Sequence, residues 1–124
     1  MDLHTNDTTR IFNESMVMTP PIVTLFTMLR RGTTALNELN YPELSCIVSP
    51  KELHLGRDAA SKLTAALSIH IDGFLGLSCA EGYGDTGEQV MFTARFSNLM
   101  TPFDVDQIIK QRAADIIDTL MAIC

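Results

Sequence analysis

The sequence predicts an α+β fold, in which a single antiparallel sheet of about three to five strands is flanked by an N-terminal and a C-terminal helix. Apolar residues recur at helical spacing after Thr19-Pro20 and again after Thr101-Pro102, which indicates a helix at each side of the strands. Between them, residues 63–71 and 90–96 alternate apolar and polar side chains, a pattern typical of half-buried strands.

Length and composition indicate one globular domain. The chain has 124 residues, of which 46% are hydrophobic and 19% charged, so it is too apolar to be disordered. We interpret residues 1–18 as an N-terminal arm with a mobile end, and residues 19–124 as a single α+β domain. No signal peptide, lipid anchor or membrane-length apolar segment is recognisable, so we expect a soluble protein in the cytoplasm of a cell or of an infected host cell.

The first helix follows a capping threonine and two prolines, residues that are favoured at helix starts. Its apolar positions fall within an arc of about 140°, as expected for one buried face. We predict one helix over residues 20–39, and the alternative is a helix that ends at Gly32. The apolar positions are Ile22, Leu25, Phe26, Leu29, Leu36 and Leu39.

The segment that follows contains one clear strand and one ambiguous stretch. Leu44–Val48 is predicted to be a short strand, and Ser49 with Glu52 matches a capping box that would start a short helix. An edge strand over 52–55 is the alternative, and residues 50–62 stay open between the two.

The alternating runs 63–71 and 90–96 are predicted to pair as an antiparallel hairpin, joined through the glycine-rich segment 81–87. Their apolar faces are expected to meet the last helix, so Ile69, Phe92 and Ile116 should be buried together.

The last helix begins at Thr101-Pro102 and runs to the end of the chain. Its apolar arc of about 220° is wider than one contact with a sheet needs, so a second surface must cover it. The first helix can supply that cover, or a second subunit can. The second alternative predicts a homo-oligomer, with interface residues Ile117, Leu120, Met121 and Cys124.

Charge and cysteine content exclude several kinds of site. The formal net charge of −6 argues against direct binding to a nucleic-acid backbone. The three cysteines are an odd number at long spacing, which favours reduced thiols over a disulfide framework, and none lies at metal-ligand spacing from a histidine. We therefore predict no metal and no cofactor.

Candidate ligand-binding residues come from the polar faces of the predicted hairpin. His70 and Asp72 lie two residues apart on one strand, and Arg95 lies on its partner, an arrangement suited to acid–base chemistry or to anion binding. Arg57 and Lys62 are further cations that could converge on a ligand.

The leading hypothesis is a non-enzymatic interaction protein, which is a small acidic adaptor, chaperone or inhibitor that binds a protein partner and forms a homodimer or larger homo-oligomer. The alternative is a small-ligand or nucleotide-binding domain with a pocket between sheet and helix or between subunits, for example a phage-type anti-defence protein. A third hypothesis is a small enzyme that uses His70 and Asp72.

We predict that the acidic loop does not hold a structural metal. Replacing Glu81, Asp85 and Glu88 together with glutamine should leave the melting temperature nearly unchanged, because exposed carboxylates contribute little to stability. Thermal unfolding with and without calcium or magnesium measures this. A cation-dependent rise in melting temperature that the triple variant lacks would contradict it.

Overall fold

The computed structural model describes residues 19–124, so the predicted arm over 1–18 lies outside the described residues. This part of the chain contains three helices and one antiparallel sheet of four strands, which confirms the α+β prediction. In chain order the elements are α1 Pro21–Arg30, β1 Thr33–Leu36, β2 Pro42–Val48, α2 Ala59–His70, β3 Phe74–Tyr83, β4 Gln89–Phe96 and α3 Pro102–Ile123.

The sheet has the strand order β1-β2-β4-β3, so β2 and β4 are central, and β1 and β3 form its two edges. In one row across the sheet, Cys46 of β2 pairs with Phe92 of β4, which pairs with Cys79 of β3. The strands predicted over Leu44–Val48 and 90–96 are confirmed as β2 and β4.

All three helices pack on one face of this sheet and against one another, and the core lies between the two layers. Alternate residues of the central strands, from Leu44 on β2 to Phe96 on β4, are buried beneath the helices. Phe92 and Ile116 are buried as predicted, but Ile69 was wrongly assigned to the core, since its side chain is 66% exposed on α2.

The first helix is shorter than predicted, because it ends at Arg30 and residues 33–36 form the edge strand β1. A Cβ atom at Gly32 would overlap the carbonyl oxygen of Ser45, so only glycine lets the chain pass this close to β2. Leu36 and Leu39, which fit the helical spacing, are instead 52% and 73% exposed. The alternative that Gly32 ends the helix is therefore the correct one.

The strand predicted over residues 63–71 is wrong, because residues 63–70 belong to α2 and Ile71 is its C-cap. Within this helix Leu63, Ala66 and Leu67 are buried, and they are spaced as on one helical face. The same stretch of sequence also has an apolar residue at every second position, which is the strand pattern. Alanine and leucine have high helix propensity, but propensity is a weak signal, and the burial of this face is what selects the helix. The antiparallel partner of β4 is instead β3, which starts at Phe74, after the end of the predicted strand.

Residues 50–58 contain turns and neither a helix nor a strand, so the predicted short helix after Ser49 and its alternative, an edge strand over 52–55, are both wrong. The Ser49 hydroxyl accepts a hydrogen bond from the amide of Glu52 at 3.4 Å, which is one of the two hydrogen bonds of the predicted capping box. No helix follows it directly. The next helix, α2, begins only at Ala59.

The start of α3 agrees with the prediction. The Thr101 hydroxyl accepts a hydrogen bond from the Asp104 amide at 3.0 Å, and the Asp104 carboxylate accepts one from the Thr101 amide at 2.9 Å. This reciprocal pair satisfies two donors at the helix start. The wide apolar arc of α3 is covered by both α1 and α2, so most of it is buried within one chain.

We predict that Gly32→Ala lowers the free energy of unfolding by about 1–3 kcal/mol, since the added methyl group forces β2 and the end of α1 apart. Urea denaturation measures the loss. Gly56→Ala is the matched control, because its methyl group would meet only the exposed carboxylate of Asp58, which can move. Equal stability of the two variants would show that the close approach is not required.

Candidate functional site

The face of the sheet opposite the helices is left uncovered by residues 19–124, and we call it the open face. It presents apolar as well as polar groups, since Ile47 on β2 is 47% exposed and Leu75 on β3 is 55% exposed. The pairing register assigns to it, from the two central strands, Glu43, Ser45, Ile47, Met91, Thr93 and Arg95.

A groove of about 460 Å³ runs over the open face between the β1–β2 turn and β3. Tyr41 and Leu75 line its two sides, and Thr93 lies at its floor with only 8% of its surface exposed. The hydroxyls of Thr93 and Ser45 are 3.3 Å apart, so the floor is polar and internally hydrogen-bonded. Pockets of this volume admit a small ligand or a side chain of a partner.

An ion pair lines the groove. The Arg95 guanidinium donates to the Glu43 carboxylate through two nitrogens, each 3.0 Å from Oε2. The Asn37 side-chain amide donates to the same oxygen at 3.2 Å, while its carbonyl oxygen accepts from the amides of Leu39 and Tyr41. The β1–β2 turn therefore holds Asn37, which in turn orients the carboxylate toward Arg95.

The outer edge of β3 has no strand beside it within residues 19–124. Its pairing to β4 is regular from Gly76 to Ala80 and irregular on either side, between Phe74 and Gly76 and between Ala80 and Tyr83. No charged residue and no proline occurs from Phe74 to Ala80, and Ser78, Cys79 and Ala80 are exposed. Natural sheets usually protect such an edge with charge, proline or a covering segment.

His70 and Asp72 lie together at a second cavity of about 410 Å³, between the end of α2 and α3. Arg112 of α3 lines the same cavity, and the sequence analysis did not predict it. It lies one helical turn after Ile108, which also lines the cavity, so the two side chains share a face of α3. The imidazole Nε2 of His70 and the hydroxyl of Thr119 are 2.6 Å apart. This hydrogen bond ties the ring to α3.

The other three predicted ligand residues are elsewhere. Arg95 belongs to the groove on the open face, Lys62 forms an ion pair with Asp58 at 3.2 Å, and Arg57 is exposed in the turn before α2. Arg57 and Lys62 line neither of the two cavities. The structure therefore joins His70 with Asp72 but does not bring the five residues into one site.

The predicted interface residues at the end of α3 differ in exposure. Leu120 is fully buried by the chain itself and belongs to the core, so it has no surface left for a partner. Ile117 is half-buried against the core, whereas Met121 and Cys124 are exposed. An interface role for these last three stays a prediction.

The cysteines are free thiols. Burial raises the pKa of the Cys46 thiol to about 11. Burial and the nearby Glu81 carboxylate raise the pKa of Cys79 as well, because both disfavour the thiolate. Neither group has the lowered pKa that a nucleophilic cysteine needs at neutral pH.

Among residues 19–124, no three histidine, cysteine, aspartate or glutamate side chains are grouped so that they could hold a metal ion. No helix in that same range is long and apolar enough to cross a membrane. Comparison with protein-family models, with curated proteins and with solved structures gives no match to this chain. Its functional interpretation therefore rests on its own geometry.

We predict that Cys46 is alkylated by iodoacetamide at pH 8 about 100-fold more slowly than a peptide thiol, because its pKa is about 11 instead of the ordinary 9.0. The rate should rise about tenfold per pH unit up to that pKa, and mass spectrometry of the labelled peptide measures it. Labelling of Cys46 as fast as the peptide would contradict the prediction.

Proposed function

We propose that the chain is a non-enzymatic interaction protein that works as a homodimer, in which the β3 strands of two copies pair along the free edge of the sheet. The observation that carries the proposal is the uncharged stretch of β3 from Gly76 to Ala80, beside which no strand of residues 19–124 lies. A second copy would pair with the backbone groups that residues 19–124 leave without a strand partner at this edge, and it would need no new fold.

A two-fold axis is compatible with the geometry of this strand. The regular stretch is centred on Ser78, so an antiparallel pairing about that residue would place Gly76 opposite Ala80 and Leu77 opposite Cys79. No like charges would face each other within the stretch, although the chain as a whole carries a charge of −6. Such a self-complementary patch is what a closed dimer requires.

The helix above β3 supports the same interface. α2 packs against β3 and exposes the small, uncharged residues Ser61, Ala65 and Ser68. Small side chains let a neighbouring backbone approach closely and lose little side-chain entropy when they are buried. None of these three residues carries a charge or a long side chain that would keep a second copy away.

In the dimer, two four-stranded sheets would join into one, and their open faces would become continuous. The groove beside Leu75 and Tyr41 would then lie close to the dimer axis on each side. Exposed Ile47 and Leu75 and the Glu43–Arg95 pair offer a partner protein both apolar contacts and polar ones. Surface contact by this face is the adaptor, chaperone or inhibitor activity that we propose.

We predict that Ser78→Lys weakens the dimer by at least about tenfold, because the two added ammonium groups would face each other across the axis. Sedimentation equilibrium of the wild-type chain at micromolar concentration should give a dimer. Thr33→Lys is the matched control, since Thr33 is also exposed on an edge strand, but on β1 at the other side of the sheet.

A cross-link tests the register directly. With Cys79 and Cys124 replaced by serine, Ser78→Cys should form a disulfide between two copies under mild oxidation, because directly opposed residues lie within bonding distance. Ala35→Cys on β1 in the same background should stay monomeric. A monomeric wild-type chain, or equal cross-linking at both positions, would overturn the β3 dimer.

A small-ligand domain is the second candidate, and the cavity that joins His70, Asp72 and Arg112 favours it. These groups offer one carboxylate, one guanidinium and one imidazole to a polar ligand. The hydrogen bond between His70 and Thr119 holds the imidazole ring in place beside this cavity. Chemical-shift changes at Gly73 on adding metabolite mixtures would identify such a ligand.

A further inference from the structure

A third cavity is lined by several cationic side chains, although the chain as a whole is acidic. It has a volume of about 360 Å³ and lies where the end of α1 and the start of β1 meet α3. Arg30, Arg31 and Lys110 line it, together with Asp106. Three of the nine lysine and arginine residues of the chain therefore surround one cavity, although acidic residues outnumber basic ones by 15 to 9.

These three cations form no ion pair with the residues that the structure describes. The ion pairs within residues 19–124 are Lys62–Asp58 and Arg95–Glu43, so none of the three cavity cations is paired with a carboxylate of the described range. The Asp106 carboxylate is instead engaged by the Thr34 hydroxyl, which donates to its Oδ1 at 2.7 Å. The cavity thus keeps three positive charges against one negative charge.

The backbone explains why the charges converge. Gly32 lets the chain turn sharply against β2 directly after α1, and this turn sets Arg30 and Arg31 beside α3. Lys110 projects from α3 one helical turn after Asp106. The floor is made by the buried side chains Leu44 and Ile109, so it is rigid.

We infer that this cavity binds the phosphate group of a small phosphate monoester. A monoester carries a charge of about −2 at pH 7, which matches the local sum of three positive charges and one negative charge. Guanidinium groups bind phosphate oxygens through pairs of hydrogen bonds, and a lysine adds a point charge.

The size and surroundings of the cavity favour a small molecule over a polymer. Its volume is at the lower end of the range for ligand pockets. A nucleic acid would extend beyond the three cations onto a surface of net negative charge. The site lies near β1, the edge opposite to β3, so the inference does not depend on the proposed dimer.

Titration of the full chain with phenyl phosphate, followed by amide chemical shifts and calorimetry, tests the inference. We expect saturable binding with shifts at Gly32 and Thr34. The double variant Arg31→Gln with Lys110→Gln should weaken binding at least about tenfold, because two charge-assisted contacts are lost. Both residues are exposed, so thermal unfolding of this variant should match that of the wild type.

The matched control is Lys51→Gln with Arg57→Gln, which removes two exposed cations away from the cavity and changes the net charge equally. Benzoate provides a carboxylate of similar size. Binding that falls equally in both double variants would reveal diffuse attraction and overturn the site. Equal affinity for benzoate would overturn the choice of phosphate, and no saturation by about 10 mM phenyl phosphate would overturn both.

Discussion

The packing of all three helices on one face of the sheet is the constraint on which the rest of the structure depends. β2 and β4 bury one row of side chains each beneath the helices, so their other row is left on the open face. A two-layer domain of this kind has one core and one spare sheet surface. In this chain the spare surface holds the groove with the Glu43–Arg95 pair.

The position of α3 determines how much of the molecule is available for other contacts. This helix lies against α1, α2 and the sheet, and its wide apolar arc is used inside the chain. The dimer that we propose uses the edge of β3, which lies at the far side of the sheet from β1. The opposite end carries the cationic cavity. The two proposed contacts thus use separate edges of one sheet and do not compete.

Sequence reasoning located the elements whose signals are local. The capping pair of Thr101 and Asp104 predicts the start of α3, and the alternation from Val90 to Phe96 predicts β4. It also found His70 and Asp72, which the structure places at one cavity. Arg112, Arg30, Arg31 and Lys110 escaped it, because their proximity depends on how α3 packs and not on any spacing along the chain.

The sequence by itself determined the fold class, the two central strands and the start of the last helix, since the Thr101–Asp104 capping pair and the alternation act between near neighbours. The first helix starts within a residue of the prediction, but Pro20 is its N-cap and no side chain caps it, so the predicted threonine cap is wrong. Tertiary structure alone decided where α1 ends and whether residues 63–71 form helix or strand. Gly32 ends the helix because β2 passes too close for any side chain. The run from Leu63 fits both periods, and only burial of Leu63 and Leu67 under the other helices selects one of them.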